Sequence, residues 1–178
     1  MEKINVEAII MYEKRSYNIT KDYMIPRKLI DRIDPVILRR IKTSETVIMG
    51  STTFKELKRP LERVLNIVLC SRDGSDTARM KEHANVRVVK SVAELERLLI
   101  DLQIKDATIL GGIRTFNELL EHVNRLCGRC VYTPKVFERD NAFGDRVARE
   151  FKIFEVSDFK WDKETNSIFK DVVFKRTT

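Results

Sequence analysis

The chain has 178 residues, enough for one domain with a real core. Hydrophobic residues make up 43% and charged residues 34%, a balance that excludes a disordered chain, and only 6 glycines and 4 prolines exclude collagen-like or linker-dominated architectures. Lys and Arg total 34 against 27 Asp and Glu, a formal charge of +7, so the surface favours anionic partners such as nucleic acid, phosphorylated cofactors or polycarboxylates.

No apolar run approaches bilayer length, and no charged-then-apolar leader opens the chain. The pattern predicts neither a membrane span nor a secretory signal, and hence a cytoplasmic protein. The cysteines are Cys70, Cys127 and Cys130. Cys127-Gly128-Arg129-Cys130 has the spacing of a redox or metal half-site, but no second pair or His cluster accompanies it. A reduced thiol set with no metal is the expectation.

No internal repeat or low-complexity tract appears. Ile4–Met11 alternates as a buried strand, and 12–23 is polar and irregular, a loop. Leu29, Ile33, Ile37 and Ile41 then mark one helical face. Thr46–Met49 is a short strand stopping at Gly50, followed by a helix over 52–57 that ends before Arg59-Pro60. Leu65–Leu69 is a strand, Asp73–Asp76 a turn and Val86–Val89 a strand. Ser91 with Glu94 is a capping box opening a helix over 92–102. Ala107–Leu110 is a strand running into Gly111-Gly112, and a helix continues to about Glu121. Arg129–Phe137, Phe151–Lys160 and Ser167–Lys175 read as longer strands, the last two joined by a polar turn over 162–166. This order predicts a largely parallel α/β sheet with an antiparallel edge, one domain over 1–178.

Two strand-to-helix turns carry the chemistry. Val47-Ile48-Met49-Gly50-Ser51-Thr52-Thr53-Phe54 is one, and Thr108-Ile109-Leu110-Gly111-Gly112-Ile113-Arg114-Thr115-Phe116 is the other. Glycine lets backbone approach a ligand, and a helix start presents free N–H groups suited to phosphate. Open α/β sheets bind ligands at the carboxyl ends of their strands. The GxGxxG fingerprint of the usual dinucleotide fold is absent.

Together with Arg59-Pro60-Leu61, Asn66-Ile67-Val68-Leu69-Cys70-Ser71-Arg72 and the later Asp140 and Phe143, these segments resemble dihydrofolate reductase. That family reads V-I-M-G-R-x-T-F/W, then R-P-L, then N-I-V-L-S-R, then I-G-G with a downstream aromatic, at similar spacing. The resemblance reaches from Ile4 to the C-terminal strands. It implies a three-layer dihydrofolate-reductase-like fold: a mostly parallel eight-stranded sheet, an antiparallel C-terminal edge strand and about four helices. It implies hydride transfer from NADPH to dihydrofolate, giving tetrahydrofolate. A buried carboxylate must then grip the pterin's amidine-like edge, and water must be largely excluded while one proton reaches the pterin.

The resemblance places that carboxylate at Asp34, sixteen residues before Gly50. Asp34 also precedes Pro35 and suits a helix N-cap; Asp31 is the alternative acid. Thr53 matches the threonine that approaches both cofactor and acid. Val6 and Ala8 match positions lining the pterin, with Ala8 also meeting the nicotinamide, and Leu38, Leu57 and Leu61 the apolar wall. For NADPH, the resemblance implies Gly50, Ser51, Thr52, Thr53, Ser71, Arg72, Gly111, Gly112, Ile113, Arg114 and Phe116. Ser51 stands where the family carries Arg or Lys, and Arg72 is expected to compensate through bidentate phosphate contacts.

The departures cluster at the site. Ser16-Tyr17-Asn18-Ile19 replaces the I-G before the mobile loop, and Met24-Ile25-Pro26-Arg27 replaces L-P-W, so the usual tryptophan is missing. The arginine gripping the folate carboxylate falls at Val64 by direct counting, with Arg63 beside it as candidate. Ile113 replaces a third glycine and is expected to crowd the pyrophosphate. Thr133 is the candidate for the threonine that supports the carboxylate. A riboflavin-type pyrimidine reductase of the same fold is a sibling reading, with Lys28, Arg32, Arg39 and Arg40 as its phosphate groups. A catalytically weak homologue with a binding or structural role stays open. A nucleic-acid module on the basic stretch Arg27–Lys42 is disfavoured, since no aromatic interleaves its basic residues. The substrate expected is a small molecule, and the protein a monomer or homodimer.

Overall fold

The computed structural model describes residues 4–13, 43–132, 142–162 and 167–177. The described elements are β1 (Asn5–Glu13), β2 (Thr46–Gly50), α1 (Ser51–Leu57), β3 (Leu65–Leu69), α2 (Ser75–Lys81), β4 (Val86–Val89), α3 (Val92–Asp101), β5 (Asp106–Gly111), α4 (Ile113–Leu119), β6 (Val123–Tyr132), α5 (Ala142–Glu150), β7 (Phe151–Val156), β8 (Lys160–Asp162) and β9 (Ser167–Arg176). The expected helix around Leu29–Ile41 lies outside the described residues.

The strands form one sheet in the order β4-β3-β2-β5-β1-β6-β9-β7, with the short β8 pairing β9. Every pair from β4 through β6 is parallel. β9 runs antiparallel to β6, β7 and β8, so the reversed strand sits one place in from the edge, which is β7. The central strands are buried on both faces, as a parallel sheet requires. Val6, Ala8, Ile48, Ile67 and Ile109 pack on one face with Leu95 and Leu99 of α3, Phe116 and Leu119 of α4 and Val147 of α5. Ile9, Val47, Met49, Val68 and Leu110 pack on the other with Phe54 and Leu57 of α1 and Met80 of α2. This is the three-layer arrangement that the resemblance implies.

Three expectations need correction. Asp73–Asp76 is no simple turn, because helix α2 starts at Ser75. Only Thr77 and Met80 of that helix are buried, too few positions to show a period. The strand expected from Arg129 begins six residues earlier, at Val123. Arg125 and Arg129 disguise it. Arg125 lies 3.4 Å from Glu7, and Arg129 pairs with Asp171 at 2.8 Å, so each charge finds a carboxylate on a neighbouring strand. The strand expected over 151–160 divides into β7 and β8.

The Cys127/Cys130 spacing also resolves. Strand side chains alternate faces, so residues three apart point oppositely. Cys127 joins one core face and Cys130 the other. Cys127 donates to Glu7 Oε1 at 2.6 Å. The motif therefore cannot act as a two-sulfur chelate.

Candidate functional site

The parallel register sets the site. Gly50 is level with Leu69, Leu69 with Val89, and Met49 with Gly111. Four strands therefore end at one line, and a cleft of about 710 Å³ lies just beyond it. The turns after β2, β3, β4 and β5 all line the cleft.

The two glycine turns meet there. The pairing of β2 with β5 shifts between Ile48 and Met49, bringing the start of α1 beside the start of α4. A Cβ on Gly50 would lie 2.7 Å from Thr115 Oγ1, so only glycine allows this approach. Gly111 and Gly112 have φ of 140° and 84°, backbone that side chains rarely adopt. Thr53 is buried, at 2% exposure, yet its Oγ1 meets no hydrogen-bond partner. Buried hydroxyls are normally satisfied. An unsatisfied one at the mouth of two glycine turns is a group held ready for a ligand.

The turn after β3 is held by its own residues. Thr77 Oγ1 donates to the Arg72 carbonyl at 2.9 Å, and Cys70 Sγ donates to the same oxygen at 3.3 Å. After β4, the predicted capping box is present in altered form. The Glu94 N–H donates to Ser91 Oγ at 3.2 Å, and Glu94 Oε2 accepts from the Lys90 N–H at 2.7 Å, one residue earlier than the usual partner.

Two ion pairs tie the rim together. Lys90 Nζ lies 2.7 Å from Asp73 Oδ2, and Lys55 Nζ lies 2.5 Å from Asp76 Oδ2. The hydrogen bond from Lys90 holds the Asp73 carboxyl below its ordinary range, the one from Lys55 does the same for Asp76, and Asp73 raises the Lys90 ammonium in turn. Arg114 pairs with Glu118 at 2.8 Å.

Of the expected cofactor residues, Gly50, Ser51, Thr52, Thr53, Ser71, Arg72, Gly112 and Arg114 line this cleft together. Ile113 does not crowd it; that side chain is half-buried against the core face carrying Val6 and Phe116. Phe116 is buried, and its ring would meet a Cβ on Gly111 at 3.8 Å. Val6, Ala8 and Leu57 are buried in the two core layers. Leu61 is half-buried against the same layer as Leu57. Arg63 is exposed with φ of 62°, and Val64 is buried in the core. Asp34, Asp31, Leu38, Thr133 and the basic residues of 27–42 lie outside the described residues.

Sequence reasoning missed Lys55, Asp73, Asp76, Lys90, Ser91 and Thr115, all lining the cleft. The signal for Lys90 and Ser91 was available, since they follow a strand directly. Nothing in sequence showed that β4 ends level with β3.

The groups present suit a phosphorylated dinucleotide: helix starts bearing free N–H groups, glycine cradles, rim cations and an unsatisfied buried hydroxyl. The sequence model described as dihydrofolate reductase matches residues 6–176. The bifunctional dihydrofolate reductase-thymidylate synthase of Plasmodium vinckei is 34% identical over 83 residues, 45% of this chain and 45% of that protein. The segregation and condensation protein A of Mycoplasmoides gallisepticum is 25% identical over 118 residues, 66% of this chain and 19% of that protein. The chain thus spans less than half the length of either curated relative. A solved dihydrofolate reductase from Enterococcus faecalis, complexed with NADP(H) and RAB-propyl, has a TM-score of 0.72 at 21% identity, covering 98% of this chain and 97% of that one, and it shows the shared fold. With the family match running over nearly the whole chain, the protein belongs to the dihydrofolate reductase family.

Proposed function

We propose that this chain reduces dihydrofolate to tetrahydrofolate with NADPH, as one domain in a cytoplasmic setting. Three cysteines outside any disulfide accord with that compartment, and among the described residues no helix is long and apolar enough to cross a membrane. The observation carrying the reading is the cleft where both glycine turns meet around the unsatisfied Thr53 hydroxyl.

NADPH, when bound, supplies the hydride. Gly50 and Gly112 keep the cradle open to backbone approach. Ser51, Thr52 and Ser71 offer hydroxyls, and Arg72, Lys55 and Lys90 offer positive charge to phosphates. Thr53 Oγ1 bridges the cofactor side of the cleft to the substrate acid. Asp34 holds the pterin edge by paired charge-assisted hydrogen bonds, with Asp31 as its alternative. Leu57, Leu61 and Leu38 form the apolar wall that excludes water, Val6 and Ala8 line the pterin, and Arg63 meets the folate carboxylate.

The test is loss of NADPH absorbance with dihydrofolate, run beside Asp34→Asn and Asp31→Asn. Turnover by wild type that collapses in Asp34→Asn supports the reading and its acid. Collapse only in Asp31→Asn would move the acid. A purified wild type without turnover overturns the proposed activity, and turnover of a ribosylamino-pyrimidine phosphate instead would assign the sibling reaction.

A further inference from the structure

We propose that Asp73 sets how strongly this cleft prefers a 2′-phosphorylated nucleotide over its unphosphorylated counterpart. The inference rests on the cofactor reading above. Lys90 and Asp73 come from different turns, after β4 and β3, and their side chains close to 2.7 Å across the rim. Asp73 follows Arg72 directly, the residue at which a 2′-phosphate is expected. A carboxylate near a ribose 2′ position favours a hydroxyl there, and a cation favours a phosphate. Here the two are paired with each other. An arriving phosphate must take Lys90 from Asp73 and then sit beside the released carboxylate. Both effects act on the 2′-phosphate and spare a 2′-hydroxyl.

Lys55–Asp76 is a built-in comparison. It carries the same charges in the same cleft at 2.5 Å. Lys55 projects from the last turn of α1 and meets Asp76 in the first turn of α2, so this pair, unlike Asp73, does not adjoin Arg72 in the chain. Releasing Lys55 therefore affects NADPH and NADH alike. Exposed pairs of this kind are modest, so removing Asp73 is worth about twofold to fivefold in affinity. The effect shrinks at high ionic strength.

Dissociation constants for NADPH, NADH, adenosine 2′,5′-bisphosphate and AMP, by titration calorimetry, decide the matter for wild type, Asp73→Asn, Asp76→Asn, Lys90→Gln and Lys90→Gln/Asp73→Asn. Asp73→Asn is expected to tighten the two 2′-phosphorylated ligands and leave the other two unchanged. In the Lys90→Gln background the competition for Lys90 is gone and only the gain from removing the carboxylate's repulsion is expected to remain, while Asp76→Asn moves NADPH and NADH equally. Wild type that binds both dinucleotides, with an NADPH-to-NADH ratio unmoved or lowered by Asp73→Asn, overturns this inference alone. Wild type that binds no nucleotide overturns the cofactor reading with it. A ratio shift in Asp76→Asn but not Asp73→Asn also overturns it.

Discussion

Asn66→Ala tests the link between core hydrogen bonding and the turn proposed to meet the substrate. Asn66 is fully buried on β3. Its Oδ1 accepts from the Leu61 N–H at 3.0 Å, and its Nδ2 donates to the carbonyls of Leu61 at 2.9 Å and Val64 at 3.0 Å. One amide therefore clamps the turn that presents Leu61 and Arg63. Each such bond contributes about 1 kcal/mol net, and a donor left buried without a partner costs about 1–3 kcal/mol. The two carbonyls keep bonds from Asn85 Nδ2, at 2.9 and 3.1 Å, so only the Leu61 N–H is stranded. The two lost donations and the stranded donor together cost about 3–5 kcal/mol, and at 2–4 °C per kcal/mol the melting temperature falls by about 6–20 °C. Asn85→Ala removes donors that have a substitute, and its expected loss is about 1–2 kcal/mol. Urea and thermal melts measure both. Steady-state kinetics should show a raised KM for dihydrofolate in Asn66→Ala, with the dissociation constant for NADPH unchanged. A variant melting within about 2 °C of wild type refutes the clamp. A destabilised variant with an unchanged KM separates the turn from the substrate site.

Thr53→Val removes a hydroxyl that satisfies nothing in the ligand-free protein. Its melting temperature should therefore hold or rise, because an unpaired buried polar group is replaced by an isosteric apolar one, while kcat/KM falls about tenfold or more; equal losses of stability and activity would refute the functional role. Glu150 supplies a pH test. Its carboxyl lies below the ordinary 4.5, first because Arg176 donates to it and then through Arg146, against opposing desolvation; the Arg176 bond is 2.7 Å. A folded value below the unfolded one means that stability is present above about pH 4.5 and is lost as pH falls through the folded value. Melting curves down to about pH 3 should fall more steeply for wild type than for Glu150→Gln, and parallel curves would exclude the linkage.

The sequence alone determined the α/β class, the boundaries of β3 and β4, the α3 cap at Ser91 and the two glycine turns. Each depends on local signals: apolar runs four to five residues long, glycine after a strand, a serine three residues before a glutamate. Most of the residues expected on the cofactor side line the cleft for the same reason, since they sit in those turns. α2 and the first half of β6 were not. α2 buries only two residues, and β6 buries Arg129, whose partner Asp171 is 42 residues away. Tertiary structure also decided the opposite facing of Cys127 and Cys130, the turning of Ile113 into the core and the lysine–aspartate rim. Those features depend on which strands lie side by side and end level. Strand order is a long-range choice, set by burying both faces of the sheet at once, and no window along the chain contains it.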